Sequence, residues 1–231
     1  MSTDHLDKKI ELAITAAGLY EKNAGSFTVA ELSAATGIEQ NTIYELFPGK
    51  KSILKYYYNT VILRYHFMIQ EIGEFNTFSI SEKLSNFMYT SFDLLNEHNE
   101  FVKKTFRDLE CTPLQRSSFG KEVDRLFQSF FEEDPNISVS AAIFTGPTFY
   151  ALLRQKYLGI VLFWLFDESE HKDKTFALVD KVNSFVEEVM YNKVIDKGFD
   201  LFKYTLTSSG MFEDLPFVED LFNKNSKDEE E

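Results

Sequence analysis

Cysteine is nearly absent from this chain. Its one copy, Cys111, has no second thiol to pair with. That excludes an internal disulfide and predicts a reducing compartment. Proline and glycine are scarce too, with five and ten copies in 231 residues, so few positions interrupt a helix. Positive charge is the minority sign: 24 Lys and Arg stand against 37 Asp and Glu, a net charge of −13. Such a chain does not attract a polyanion through its total charge. Long apolar runs are also missing. The longest uncharged one, Tyr157 to Phe166, has ten residues, with Arg154 and Lys156 just before it and Asp167 and Glu168 just after. A membrane span needs about 20, so the run is expected to be a buried helix and no membrane partner is expected. The opening MSTDHLDKK has no apolar stretch of the kind a secretory signal carries. The expectation is a cytoplasmic protein.

What is present is apolar and aromatic. Hydrophobic residues make up 44% of the chain and aromatics 16%, enough for a substantial core. Acid is unevenly spread. Residues 1–60 hold six Lys and seven Asp or Glu, so the other 18 basic and 30 acidic groups lie beyond them. The N-terminal part is therefore close to neutral.

Periodicity makes that part helical. Ile10, Ala13, Ile14, Ala17 and Tyr20 form a stripe at helical spacing, which only Glu21 breaks. Thr28 followed by Glu31 predicts a capping box at the start of a second helix. Gly37 then stands where a left-handed C-cap is needed, with apolar Ile38 after it. A third helix is predicted over roughly Gln40 to Phe47, stopped by Pro48-Gly49, and a fourth from Lys50 to about Ile72. Two short helices joined by a tight glycine-bearing turn make a helix-turn-helix. Beyond residue 73 every long segment reads helical: Ser79–Glu97, Glu100–Glu110, Ser117–Glu132, Val139–Phe166 and Lys174–Thr207, with a short one near Leu215–Phe222. Pro147 predicts a kink within the fourth of these or a start near Thr145. No strand alternation and no internal repeat is present.

Residues 8–55 resemble the tetracycline repressor (TetR) family of transcriptional regulators. The resemblance is carried by Ile10–Tyr20, by Phe27-Thr28-Val29-Ala30-Glu31-Leu32, by Thr36-Gly37-Ile38, by Thr42-Ile43-Tyr44, and by Phe47-Pro48-Gly49-Lys50-Lys51-Ser52-Ile53-Leu54. It implies an all-α fold: a three-helix head over residues 1–52 that binds double-stranded operator DNA, and a helical effector-binding and dimerisation bundle over residues 53–223. An acidic tail over residues 224–231 follows. It also implies a homodimer in which the last two long helices of each protomer pair with the partner's. The departures lie on the reading helix. Glu39 stands where serine often caps, and Gln40, Glu45 and Leu46 replace often basic or histidine positions, so that helix carries no cation.

The resemblance and elementary chemistry name candidate residues. Phosphate contacts are expected from Thr28, Thr42, Tyr44, Lys50, Lys51 and the first amides of the fourth helix. Lys8, Lys9 and Lys55 are further cations of the head. Base reading is expected from Gln40 and Asn41, which suit adenine, and from Glu39 or Glu45, which suit the cytosine amino group. An operator rich in A·T follows. Ile43 and Phe47 are expected in the core.

No catalytic set stands out, and neither a metal nor a cofactor is expected. Glu168 and His171 have a spacing used in di-iron bundles, but no second such pair exists. The protein is expected not to be an enzyme. Aromatics on successive helices predict a core whose Phe87, Phe92, Phe106, Phe130, Phe144 and Tyr150, with Arg107, line a pocket for a small apolar or aromatic effector. Apolar faces at Leu158, Val161, Leu162 and Leu165, and at Phe185 and Val189, are expected at the dimer interface. The leading expectation is a repressor released by its effector. The rival is a helical ligand-binding or protein-interaction module with weakened or lost DNA binding, motivated by the neutral head.

Overall fold

A computed structural model describes residues 3–111, 117–132, 134–138, 141 and 145–191. Among the described residues the chain is built of nine α-helices and no strand: α1 (Thr3–Lys22), α2 (Val29–Thr36), α3 (Gln40–Leu46), α4 (Lys50–Gln70), α5 (Ile80–Asn96), α6 (Asn99–Glu110), α7 (Ser118–Glu132), α8 (Pro147–Phe166) and α9 (Asp173–Tyr191). The all-α expectation holds, and most boundaries fall within a residue or two of those read from periodicity. The expected short helix near Leu215–Phe222, the acidic tail, and the part of the last helix beyond Tyr191 lie outside the described residues.

The chain divides into two compact units. One comprises residues 1–135 and 145–187, and the other residues 136–144 and 188–231. In the second, the Ser138 amide donates to the Met190 carbonyl at 2.9 Å.

The first unit holds the head and most of the bundle. Its local starts and stops follow the sequence closely. Thr28 Oγ1 accepts the Glu31 amide at 3.1 Å, and the Glu31 carboxylate accepts the Thr28 amide at 2.7 Å. Gly37 closes α2 at φ +73°, the left-handed region that a side chain opposes. Leu12, Ala16, Phe27, Leu32, Ile43, Phe47 and Ile53 then form one buried cluster under the three short helices. Pro147 takes the first turn of α8 rather than kinking a longer helix, where its missing N–H leaves no bond unmade.

Helix α8 spans 20 residues and by length and composition is apolar enough to cross a membrane, longer than the ten-residue run alone indicated. It carries Arg154 and Lys156, and it buries Tyr157, Leu158, Val161, Trp164 and Leu165 within this unit. That is the behaviour of a core helix. Its end is secured by Asp167, whose carboxylate accepts from the amides and hydroxyls of Ser169 and Thr175. Those bonds hold its carboxyl well below the usual range.

Candidate nucleic-acid interface and effector core

The head presents α3 to solvent. Glu39, Gln40, Asn41 and Glu45 are exposed, Thr42 is half-buried, and Tyr44 is 57% exposed. Ile43 and Phe47 are buried, as expected of the core-facing positions. Glu39 makes no side-chain capping bond, in line with its poor geometry for that role. The structure therefore groups Gln40, Asn41 and Tyr44 on one open surface.

The cations of the head are less free than their sequence positions implied. Lys50 Nζ donates to the Phe27 carbonyl at 3.0 Å and lies 5.8 Å from the centre of the Phe27 ring. Lys9 sits over the Phe47 and Tyr56 rings at 5.5 and 5.6 Å. Lys8 pairs with Asp4 at 2.7 Å. Lys51 is exposed and has no ion pair among the described residues. The Thr28 hydroxyl donates its proton to Glu31 at 2.9 Å, so toward a phosphate it would have no proton to offer while that bond lasts. Lys50 and Lys51 supply the first amides of α4, which have no acceptor within a helix.

One acid joins the head to the bundle. Glu21, the residue that breaks the apolar stripe of α1, reaches the N-terminus of α6. Its Oε1 accepts the Phe101 amide at 3.0 Å and its Oε2 lies 3.0 Å from His98 Nδ1. A carboxylate there satisfies an orphan amide and lies at the positive end of the helix dipole. Tyr20 stacks edge-on against Phe101 at 5.3 Å. Tyr57 of α4 meets His98 and Phe101 edge-on at 5.7 and 5.0 Å and donates to the Leu94 carbonyl. Arg64 of α4 forks onto Glu97 with two 2.6 Å bonds.

The bundle core is a continuous array of rings. Phe87 touches Tyr65, Phe127 and Tyr157, with ring centres 5.1, 5.6 and 4.9 Å apart. Phe92 stacks face to face on Trp164 at 5.2 Å. Phe106 meets Tyr58 at 5.5 Å, Phe130 meets Phe75 at 6.0 Å, and Tyr150 meets Phe131 at 6.0 Å. Such edge-on and offset pairs are the preferred ring geometries. Polar groups are threaded among them: Tyr58 and Thr105 share a 2.7 Å bond, Asn59 donates to Ser118 at 3.0 Å, and Arg154 of α8 pairs with Asp124 of α7. Burial pushes the Cys111 thiol up to about 11, which makes it a poor nucleophile near neutrality.

A family model, "Tetracyclin repressor-like, C-terminal domain", matches residues 83–204, more than half of the 231. The chain belongs to the tetracycline repressor family. No curated protein matches it. The family match covers the bundle, whereas the resemblance of residues 8–55 lies in the head, so the two lines of reasoning rest on different residues.

In this TetR-family protein two groups of expected site residues need correction. Arg107 is exposed on α6, not part of the buried ring array. Phe144 lies outside the described residues, and the other five aromatics of the expected pocket are buried. At the expected dimer interface, Leu158, Val161 and Leu165 are 4, 0 and 3% exposed. They pack inside their own protomer, because the apolar stripe of α8 is wide enough to have two sides. The open side is Leu152 at 60%, Phe163 at 42% and Phe166 at 70%. Leu162 and Val189 are half-buried, and Phe185 of α9 stands 66% exposed. The sequence could not separate the two sides of α8, since both are apolar.

Proposed function

We propose that the protein is a dimeric DNA-binding transcriptional repressor released by a small effector bound in its helical core. The observation that carries the reading is the helix-turn-helix head, with Gln40, Asn41 and Tyr44 on its open surface, joined through Glu21 to a bundle of the TetR type. Dimerisation sets two reading helices about 34–36 Å apart, one turn of DNA. Effector binding shifts the population toward a state with lower operator affinity, by as much as the ligand's affinities for the two states differ.

The test is fluorescence anisotropy with the DNA upstream of the protein's own gene, at two salt concentrations. Binding that is specific and weakens with salt supports the repressor; no binding by a folded dimer at low salt rejects it. Lys51→Ala is expected to weaken all sequences alike and to lower the salt slope by about 0.9. An unchanged slope removes Lys51 as a phosphate contact. A selection that returns a G-rich half-site would overturn the A·T preference expected from Gln40 and Asn41.

A second reading, a ligand-binding or interaction module without DNA binding, is favoured by one observation. The reading helix has no cation, and Lys9 and Lys50 are drawn onto rings of the head itself. The same titration decides between the two.

For the dimer, the exposed rings supply the expected interface. Phe163→Glu with Phe166→Glu is expected to convert a dimer into a monomer in light scattering, with little change in helix content, since neither ring is in the core. Leu158→Glu would unfold the protomer instead. A dimer that survives the double substitution excludes this face.

A further inference from the structure

Glu110 is the feature of the bundle core that nothing above explains. It ends α6, is 5% exposed, and its Oε2 has no hydrogen-bond partner. The site is adverse to a carboxylate on two counts. Burial withdraws water, and the C-terminal end of a helix is the negative end of its dipole. Ser117 gives the carboxyl one hydroxyl contact. Lys55 and Tyr58 act on it from α4, Tyr157 from α8, and Cys111 from the residue beyond α6. Lys55 is the one cation in that set, and its influence is the weakest of those on Glu110. Arg107 is exposed, and Arg154 is bound to Asp124.

Tyr157 is the second group of this kind. It is fully buried, and its hydroxyl makes no hydrogen bond of ordinary geometry, while the Ser91 hydroxyl gives its proton to the Met88 carbonyl. Rings surround the pair. Phe119 lies between Tyr58 and Tyr157, at 6.0 and 6.3 Å, and Phe87 and Phe127 complete the shell around Tyr157.

We propose that Glu110, Tyr157 and the rings around them form the effector site, and that the effector is an organic cation: an ammonium group on an apolar body. The inference rests on the ligand-responsive reading above. A cation meets each unsatisfied feature at once. It neutralises a buried acid that has no close cation of its own, and it is attracted to aromatic faces, most strongly where water is excluded. A neutral apolar ligand leaves Oε2 as it is, and an anion meets a buried acid. In the free protein burial pushes the Glu110 carboxyl up to about 7, so a proton holds the site neutral in mildly acidic solution. The arriving cation replaces that proton, which passes to solvent as the carboxylate forms the ion pair.

The probe is benzyltrimethylammonium, titrated calorimetrically into the full-length protein, with its uncharged carbon isostere neopentylbenzene as the comparison. Affinity for the ammonium should rise about tenfold per pH unit from pH 5 toward 7 and then level. Below the plateau about one proton should be released, read from buffers of different ionisation heat. Glu110→Gln should lower ammonium affinity at least about tenfold and abolish proton release, with its fold checked by circular dichroism. Tyr157→Phe should weaken ammonium binding less and leave the pH dependence in place. The proposal is overturned if neopentylbenzene binds as well as the ammonium, if the affinity ignores pH, if Glu110→Gln binds as before, or if the ammonium does not bind. Neopentylbenzene binding alone would leave a regulator with an apolar effector and end the cation assignment. Ammonium binding with no effect on operator affinity would keep the site and end the ligand-responsive reading.

Discussion

Replacing Glu110 with glutamine is expected to stabilise the protein by about 3 kcal/mol at pH 8 and to flatten its stability between pH 4.5 and 7. Burial is the cause, since it raises the folded-state carboxyl from 4.5 to about 7. Between those values the folded chain still binds a proton that the unfolded chain has released. Stability must then fall as pH rises through the window, and the loss is complete above about 7. At low pH the acid is neutral in both states and costs little. Glutamine keeps the shape and removes the ionisation, so the difference between variant and wild type should be small at pH 4 and largest at pH 8. Denaturant unfolding at several pH values reads it directly. Parallel curves for the two proteins would mean that the carboxyl stays ionised and solvated in the folded state. A stability deficit of this kind is what binding sites carry when their charges await a partner.

Arg154→Ala should cost about 3–5 kcal/mol, the largest loss expected from any single surface-to-core side chain here. The residue is only 8% exposed and its guanidinium pairs with Asp124, whose side chain is 14% exposed. Removing the cation leaves a nearly buried carboxylate without its counter-ion. The stem matters as well: a Cβ added at Gly120 would come within 3.2 Å of Arg154 Cδ, so the chain is packed against α7 along its length. The contrast is the double change Arg154→Met with Asp124→Leu, which removes both charges and keeps the volume. It should recover most of the stability. If the double variant is as unstable as Arg154→Ala, packing rather than the stranded charge is responsible. Circular dichroism during chemical denaturation separates these outcomes.

The head was readable because its signals are local. The Thr28 and Glu31 capping box, Gly37 as a left-handed cap, and Pro147 as a helix start each depend on residues within a turn of one another, and each stands where the sequence put it. The exposed surface of α3 followed from the same short-range reasoning. The effector core was readable in composition and not in partnership. Phe87 and Phe106 announce a buried face, yet Phe87 lies against Tyr157 and Phe106 against Tyr58 only through the fold. Polar exceptions carried more information than they were given. Glu21 broke the α1 stripe, and Glu110 follows Phe106 by four positions on the apolar face of α6. Arg154 interrupts the buried stripe of α8 between Tyr150 and Tyr157. Each proved to have a partner or a vacancy that sequence spacing cannot supply, since the partners lie 30 to 80 residues away in two of the three cases. The dimer face of α8 was misplaced for the opposite reason. An apolar helix with two apolar sides offers no contrast by which to choose the outer one.

Helices α1, α4 and α6 meet pairwise: α1 lies along α4, α4 grips α6 through the Tyr58 to Thr105 bond, and Glu21 pins α1 to α6. Three stiff members joined at three corners make a truss, which keeps its shape until a joint lets go. Helices resist bending far more than a single side chain resists letting go, so the Glu21 corner is the one to yield when α6 is displaced. Orientation of the reading helix is then either braced or released, with little in between. A frame of this kind turns a small displacement in the core into a threshold rather than a slope.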